Sequence, residues 1–560
     1  MSEAPGDRQD NAAEPACVLD GASVDPSEEG RLAVEPARGA GPPADLAARS
    51  VGRRRGGAGL DASGRLRTGR LAGLSMGGAI WVLSWPILVE SVLNSFVGLT
   101  DTVLAAQLSE AATDAIGAAA YFQWFISLIA MALATGATAL VSRSVGKGRL
   151  AVAKAAVGQT IVLALAAGTV VGSGMYAGAG FIADLINLPD EAAGLFETFM
   201  RIVSVSVPAG SVLFAGIACL RGAGDSLTPL IAMACVNVVN IVTSFILAGV
   251  AVGYTQLQDG ELVRHVLLEP VLEDGYGVLG IAAGTVAAHA VGALLIVSFL
   301  VRGTQGVRLA GRWLKPHWVT MGRLVRLGIP NFGESLGMWL GNFLVVMMVG
   351  WLTLARQATE GAGEGGLFGA HILAIRIEAF SFLPGFSMGM AAATLAGQYL
   401  GAGSVAHARR AILWCTAAGA GMMTLMGVAF FTIPEQIVGL MSAEPSHLEM
   451  TPPILAICGY VQLFFGIALV IRSSLRGAGD VHAAMWITWV TTYVIRLPAA
   501  YLLSGVDIRF GETVLENPMP DDFPVSGLTG LWLGLCGELV IRGFFFAARF
   551  LQGGWARAKV

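Results

Sequence analysis

Two carboxylates, Glu90 and Asp101, interrupt the first long apolar run of a 560-residue chain. An ionisable group at bilayer depth costs at least about 2.5 kcal/mol on insertion scales, so each such residue marks either a pairing or a function. On a helix, eleven residues put the two acids on one face, about 16 Å apart along the axis, with Asn94 close to the same face. A carboxylate held there is able to take up and release a proton or a small cation. A second set follows far downstream: Glu334, then His371 and Glu378, which are seven residues apart and share a helix face. Asn237 and Asn240 in a fifth apolar run read as helix-packing hydrogen bonds. His289, four residues after Thr285, reads as hydrogen-bonded packing rather than a proton relay.

The elements that must position these groups are long helices. The chain is 55% hydrophobic and 13% charged, with a mean hydropathy of +0.67, too apolar for a soluble protein of this length. The net charge of −4 says little, because the charges are unevenly spread. A helix needs about 20 apolar residues to cross the hydrocarbon core. Twelve segments qualify: 74–106, 113–142, 156–184, 195–220, 227–252, 277–301, 324–354, 367–397, 410–433, 452–472, 482–504 and 528–550. Loops carrying Arg143, Lys147, Arg149, Lys154, Arg302, Arg308, Arg312, Lys315, Arg409 and Arg410 alternate with acidic loops. By the positive-inside rule both termini are then cytoplasmic, which agrees with an even number of spans. Prolines 86, 208, 330, 384 and 498 lie in or beside spans and kink them.

The chain repeats itself. Leu-Arg-Gly-Ala-Gly-Asp stands at 220–225 and again at 475–480, an offset of 255 residues. Pro86-Ile-Leu-Val-Glu-Ser answers Pro330-Asn-Phe-Gly-Glu-Ser at an offset of 244, and Gly146-Lys-Gly answers Gly401-Ala-Gly at 255. The difference falls in the Gly/Glu-rich loop 356–366. Longer polar loops recur at 254–276 and 506–527. Six spans in each half make parallel repeats, related by an axis along the membrane normal, with a cavity between two bundles. The hexapeptide reads as a helix end, with Arg221 at the cytoplasmic surface, Gly-Ala-Gly turning the chain and Asp225 capping the next helix. It is no phosphate loop.

The repeat also sorts the acids. Glu90 and Glu334 recur in both halves, as a symmetric structural role requires and as paired substrate contacts would allow. The position matching Glu378 is Gln123, and the position matching Asp101 is Val345. A structural acid is expected in both halves, so the unpaired Asp101 is the candidate for ion or proton binding. Glu90, Asn94, Gln123, Glu334, His371 and Glu378, with many Met and Phe side chains, are candidates for a cavity taking bulky cations.

The expected organisation is a disordered tail over 1–70, rich in Ala, Gly, Pro and acids and ending in arginines, then a lobe over 71–305, a cytoplasmic linker over 306–322 and a second lobe with a short tail over 323–560. No cleavable signal sequence precedes the first span. Six cysteines show neither CxxC nor metal-ligand spacing and read as small core residues. The fold class is therefore all-α and polytopic, with twelve transmembrane helices in two pseudo-symmetric six-helix lobes.

Taken together, Pro-Ile-Leu-x-Glu followed by Asp101-Thr-Val, the Gly-x-Gly loop after the second span, Leu-Arg-Gly-Ala-Gly-Asp with Pro229, and Gly369-Ala-His371 with Arg376-Ile-Glu378 resemble the multidrug and toxic compound extrusion (MATE) transporters over about 75–555. The resemblance implies two V-shaped lobes exporting organic cations or other amphiphiles in exchange for H⁺ or Na⁺. It assigns Asp101 as the coupling site of the first lobe. Many members complete that site with an Asn-x-x-x-Asp pair in the fifth helix; the matching positions here are Asn240 and Ser244, so the second acid is missing. Thr285 matches the sixth-helix threonine, and Phe465 stands where some members carry an acid in the second lobe.

The expected function is thus an alternating-access antiporter in the inner membrane. It takes a small organic molecule as substrate and binds neither cofactor nor resident metal. It works as a monomer without nucleic acid. A lipid-linked precursor flippase of the wider superfamily is the alternative, disfavoured by the mostly acidic groups at depth. A polytopic membrane enzyme would need a catalytic cluster at one membrane face, and the sequence presents none.

Overall fold

The computed structural model describes residues 59–560 except 187, 259–260, 304–306, 361–365, 443, 511–512, 520–526 and 559. The first half holds α1 (Met76–Leu108), α2 (Glu110–Gly146), α3 (Leu150–Leu185), α4 (Asp190–Ser204), α5 (Val207–Gly222), α6 (Leu227–Ala248) and α7 (Val278–Arg302). The second holds α8 (Trp318–Glu360), α9 (Gly366–Gly401), α10 (Val405–Thr432), the short α11 (Pro434–Gly439), α12 (Pro445–Ala478), α13 (Val481–Val490), α14 (Leu497–Ser504) and α15 (Gly527–Gln552). With no water in the hydrocarbon core, such long apolar segments must satisfy their backbones internally, and helices do so. Serines start several of them: Ser75 Oγ accepts from Gly78 N at 3.2 Å and Ser109 Oγ from Ala112 N at 3.0 Å.

Among the described residues ten helices are long and apolar enough to cross a membrane, and α4 with α5, bent by 53° at their junction, makes an eleventh if the pair is one span. The span expected over 482–504 is helical throughout but is broken into α13, a π-helical turn at Thr491–Arg496, and α14. The two polar loops expected before the sixth and last spans each fold into an antiparallel hairpin, β1 (Val252–Gln258) with β2 (Glu261–Leu268) and β3 (Ile508–Phe510) with β4 (Thr513–Leu515). Of the loop over 356–366 that shifts the repeat, residues 361–365 lie outside the described residues.

The twin hexapeptides close α5 and α12 in the same way. Gly224 and Gly479 take left-handed φ of +92° and +91°, which glycine adopts without steric cost. Asp225 N donates to Leu220 O and Asp480 N to Leu475 O, both at 2.9 Å, the bond of a Schellman cap. Further on, the left-handed Gly249 that ends α6 matches Gly505, which ends α14, at an offset of 256 residues. The offset has grown by one between Asp480 and Gly505. The π turn lies in that interval and accommodates the extra residue.

All helices beginning or ending near the hexapeptides meet at one end of the bundle, the motif end; the hairpins mark the other. The lobes join at the motif end. Thr394 Oγ1 donates to Arg221 O at 3.2 Å, Gln398 Nε2 to Gly222 O at 3.1 Å, and Arg143 Nη1 to Ala558 O at 2.5 Å. Gly146 lies against the backbone of Gln398, and Gly401 against that of Arg143, closer than a β-carbon would permit. Halfway along the bundle Asn331 Nδ2 donates to Met131 O at 3.3 Å, and Trp339 packs on Tyr121 and Phe125.

The expected disorder over 1–70 needs correcting at its end. Residues 1–58 lie outside the described residues, but from Gly59 the chain is folded. Leu60, Leu66 and Leu71 are buried in a core shared with α9, α10 and α12 of the second lobe. Thr68 Oγ1 donates to Val145 O at 2.7 Å, and Arg70 pairs with Asp225 of the first lobe. The apolar leucines explain the order, because they have core to enter. Ser63 and Arg65 hydrogen-bond the Asp61 carboxylate and hold it below its ordinary pKa. The linker expected over 306–322 packs on α3, where Gln159 Nε2 donates to Trp313 O and Lys315 O at 2.7 and 2.8 Å. The second lobe starts at Trp318, within that range.

Candidate functional site

Asp101 on α1, Asn240 on α6 and Thr285 on α7 meet inside the first lobe and are all buried. The Thr285 hydroxyl donates to Asp101 Oδ2 at 3.1 Å, and Asn240 Nδ2 donates to Thr285 Oγ1 at 3.3 Å; the Asn240 amide also neighbours Asp101. Ser244, one turn beyond Asn240, donates instead to Ile281 O at 3.3 Å. It packs against Gly284, where any side chain would collide with it. Asp101 Oδ1, Asn240 Oδ1 and Asn237 Oδ1 are buried acceptors with no hydrogen-bond partner. Buried polar atoms are nearly always satisfied, so a carboxylate with an unfilled oxygen, beside the unfilled amide oxygen of Asn240, is suited to a proton or a cation. All four residues assigned to coupling by resemblance fall in this region.

The repeat locates the same place in the second lobe. Val345 matches Asp101 at an offset of 244, and Ala500 matches Ser244 at 256. The left-handed Gly277 matches Gly527 at an offset of 250, which makes Leu535 the counterpart of Thr285. Val345, Ala500 and Leu535 are buried together in one apolar core. The counterpart of Asn240 is Arg496, the last residue of the π turn.

The six residues expected to line a cavity do not form one cluster. Glu90 pairs with Arg221 of the first hexapeptide at 2.7 Å. Glu334 pairs with Arg476 of the second at 2.8 Å and accepts from Thr488 Oγ1 at 2.9 Å. Both carboxylates are buried and paired with the repeat's own arginine, as a symmetric structural role requires. The hexapeptide arginines therefore turn inward rather than standing at the membrane surface; the Arg221 side chain is 12% exposed. His371 is buried, and Trp532 Nε1 donates to its Nδ1 at 3.1 Å, a packing contact. His289 likewise bonds Ser206 at 3.0 Å, where α4 meets α5. Asn94 is exposed on α1, Gln123 is half-buried on α2, and Glu378 is half-buried on α9 within electrostatic reach of Arg496.

Sequence reasoning weighed the acids at depth and passed over the arginines. The second lobe draws four inward, Arg542 buried and Arg472, Arg476 and Arg496 mostly so. Arg542 on α15 donates to Glu538 Oε1 at 2.6 Å, Thr491 Oγ1 at 3.0 Å and Thr492 Oγ1 at 2.9 Å. Arg476 holds Glu334. Arg472 Nη1 stands 3.8 Å from Glu334 and donates to Met338 Sδ at 3.1 Å. Arg496 Nη1 donates to Asn342 Oδ1 at 2.8 Å, with its Nε 3.6 Å from Glu538. The signal was available: Arg472 and Arg476, and Glu538 and Arg542, are spaced to share helix faces inside apolar runs. The view that groups at depth are mostly acidic is corrected by these side chains.

The sequence profile of the MatE family matches residues 86–246 and 330–502, one block in each lobe. The probable multidrug resistance protein NorM of Thermotoga maritima is 23% identical over 478 residues, covering 85% of this chain and 93% of that protein. The multidrug resistance protein PmpM of Pseudomonas aeruginosa is 24% identical over 477 residues, covering 82% and 90%. Among solved structures, the Vibrio cholerae MATE transporter VcmN in its bent form superposes with a TM-score of 0.71 at 18% identity, covering 86% of this chain and 97% of that one. A MOP superfamily transporter of Pyrococcus furiosus, described as having a binding pocket of reverse polarity, superposes at 0.72 with 19% identity, covering 87% and 98%. Two matched family blocks, in two lobes of apolar helices that each carry one copy of the repeat, make this chain a polytopic membrane protein of the MATE transporter family.

Proposed function

We propose that the protein is a secondary active antiporter that exports organic cations or other amphiphiles in exchange for H⁺ or Na⁺. One observation carries the reading: Asp101, Asn240 and Thr285 form a buried set of oxygens with unfilled acceptors in the first lobe, while the positions matching Asp101 and Thr285 in the second are the buried Val345 and Leu535. A proton or Na⁺ on Asp101 neutralises a charge that is costly to bury. The energetics of the first lobe then depend on whether the ion is bound. The names of the curated relatives, multidrug resistance proteins, support drug-like cargo. The site is complete within one chain, which favours action as a monomer.

In this reading the lobes rock about their contacts. The motif end carries the basic loops and corresponds to the cytoplasmic side, so this conformation is closed toward the cytoplasm. Ion binding at Asp101 from outside disfavours the cargo-bound outward state. Cargo leaves, the lobes rock, and the ion is released inside. A lipid-linked precursor flippase is the second reading, favoured by the four inward arginines of the second lobe but not by the acceptor set of the first.

The test is ion-gradient-driven efflux of a fluorescent organic cation from vesicles containing the protein. Asp101→Asn is expected to abolish the gradient-driven component while the purified variant still binds the dye. Gradient-driven efflux at the wild-type rate in that variant would sink the assignment.

A further inference from the structure

We infer that the second lobe holds an anion-binding site built on Arg472 and Arg496, so that the cargo is an amphiphile bearing a carboxylate, sulfonate or phosphate. This deepens the transport reading above and rests on it. Of the four inward arginines, Arg476 and Arg542 each hold a carboxylate at hydrogen-bond distance. Arg472 and Arg496 do not. Their side chains are 17% and 12% exposed, and the buried Nε of each has no hydrogen-bond partner. Glu378, facing Arg496 from α9, is the remaining acid of the region and is half-buried. Arg472 stands 3.8 Å from Glu334 and Arg496 3.6 Å from Glu538, but those carboxylates are held closer by Arg476 and Arg542. Two guanidiniums thus share anions already engaged, and a partly desolvated charge without close partners of its own is expensive. A planar fork with unfilled donors recognises carboxylate and phosphate in two-point fashion.

The repeat argues against a purely structural origin. The scaffold needs one Glu–Arg pair per lobe, Glu90–Arg221 and Glu334–Arg476, and both are present. The counterpart of Arg472 is Ile217, buried in an apolar core, and that of Arg496 is Asn240. The first lobe folds without either charge. Arg496 also ends the π turn, a local irregularity that often accompanies functional positions. Its bond to Asn342, an exposed residue of α8, ties the guanidinium to the accessible edge of the lobe.

The experiment uses the full-length protein in detergent and two dyes, a rhodamine with a free benzoate and the methyl ester of the same dye, with binding followed by fluorescence polarisation. The free acid is expected to bind about tenfold more tightly than the ester, the scale of one charge-assisted hydrogen bond. The Arg472→Gln/Arg496→Gln double variant is expected to lose that preference while binding the ester unchanged. Equal binding of the two dyes by the wild type, or a preference that survives the double variant, overturns the site. If the double variant does not fold, competition on the wild type decides: benzoate and inorganic phosphate displace the acid dye and choline does not, whereas failure of both anions to displace it overturns the proposal. Displacement by phosphatidylglycerol but not by benzoate would assign the arginines to a lipid headgroup and overturn the cargo assignment. Vesicle efflux of both dyes is measured separately, so a protein that binds the acid through these arginines but exports neither dye refutes transport while leaving the anion site standing.

Discussion

The two lobes are built on one plan and filled with opposite chemistry. At matching positions the first lobe places Asp101, Ser244 and Thr285, and the second places Val345, Ala500 and Leu535. Where the first lobe has Ile217 and Asn240, the second has Arg472 and Arg496. The shared plan is carried by what does not differ: the inward Glu–Arg pair and the glycine-ended helices. The contrast teaches that charges repeated in both lobes form closed pairs, while those present in one lobe, the self-contained Glu538–Arg542 pair aside, are the candidates to act. An acid at depth is thus better judged by its counterpart in the repeat than by its depth.

Substitutions can break or sharpen this contrast. The largest effect is expected at a symmetric position. Glu334→Gln strands both Arg472 and Arg476 and should cost about 3–5 kcal/mol, the scale of breaking a buried pair. Glu90→Gln strands only Arg221 and should cost less. Thermal unfolding in detergent followed by tryptophan fluorescence compares them, and equal losses would undo the claim that the second lobe carries excess positive charge.

Next comes an attempt to copy the acid across. Val345→Asp sets a carboxylate among Ala500 and Leu535 with no donor and should cost about 2.5–3.5 kcal/mol. Adding Leu535→Thr supplies the donor and should recover about 1 kcal/mol. A Val345→Asp protein as stable as the wild type would show that the second-lobe counterpart is not an apolar core. Thr285→Val, which removes the hydroxyl from Asp101, is expected to cost about 1 kcal/mol in the same assay and to slow gradient-driven efflux. The smallest effect belongs to Ser244→Ala, at about 0.5 kcal/mol, because Ser244 bonds only a carbonyl; slowed efflux in that variant would extend the site to Ser244.

Much of the architecture was legible because it is written locally. Apolar runs gave the spans, glycine and aspartate marked their ends, and the twin hexapeptide gave the register. The Asp101 site followed from a resemblance and from the missing partner at Val345. The Glu90–Arg221 pair was harder to see, since it joins helices far apart in sequence, although both members repeat. The arginines of the second lobe were missed because acids, amides and histidines at depth drew the attention and arginines did not. The π turn left a faint trace, one more residue between Asp480 and Gly505 than between Asp225 and Gly249, a difference that means nothing until the span is seen to stay helical through it. Order in residues 59–73 was hidden by the composition of the tail before them; three leucines outweighed it once both lobes offered somewhere to bury them.

The glycines that bring the lobes together backbone to backbone have a practical use. At Gly146 and Gly401 a single added methyl group has nowhere to go but into the opposite lobe. An alanine at either position is a wedge: it leaves each bundle intact and penalises only the arrangement in which the two touch. Such a variant would be a handle for trapping the protein open at the motif end, where the opposite half of its cycle could be captured and compared with this one.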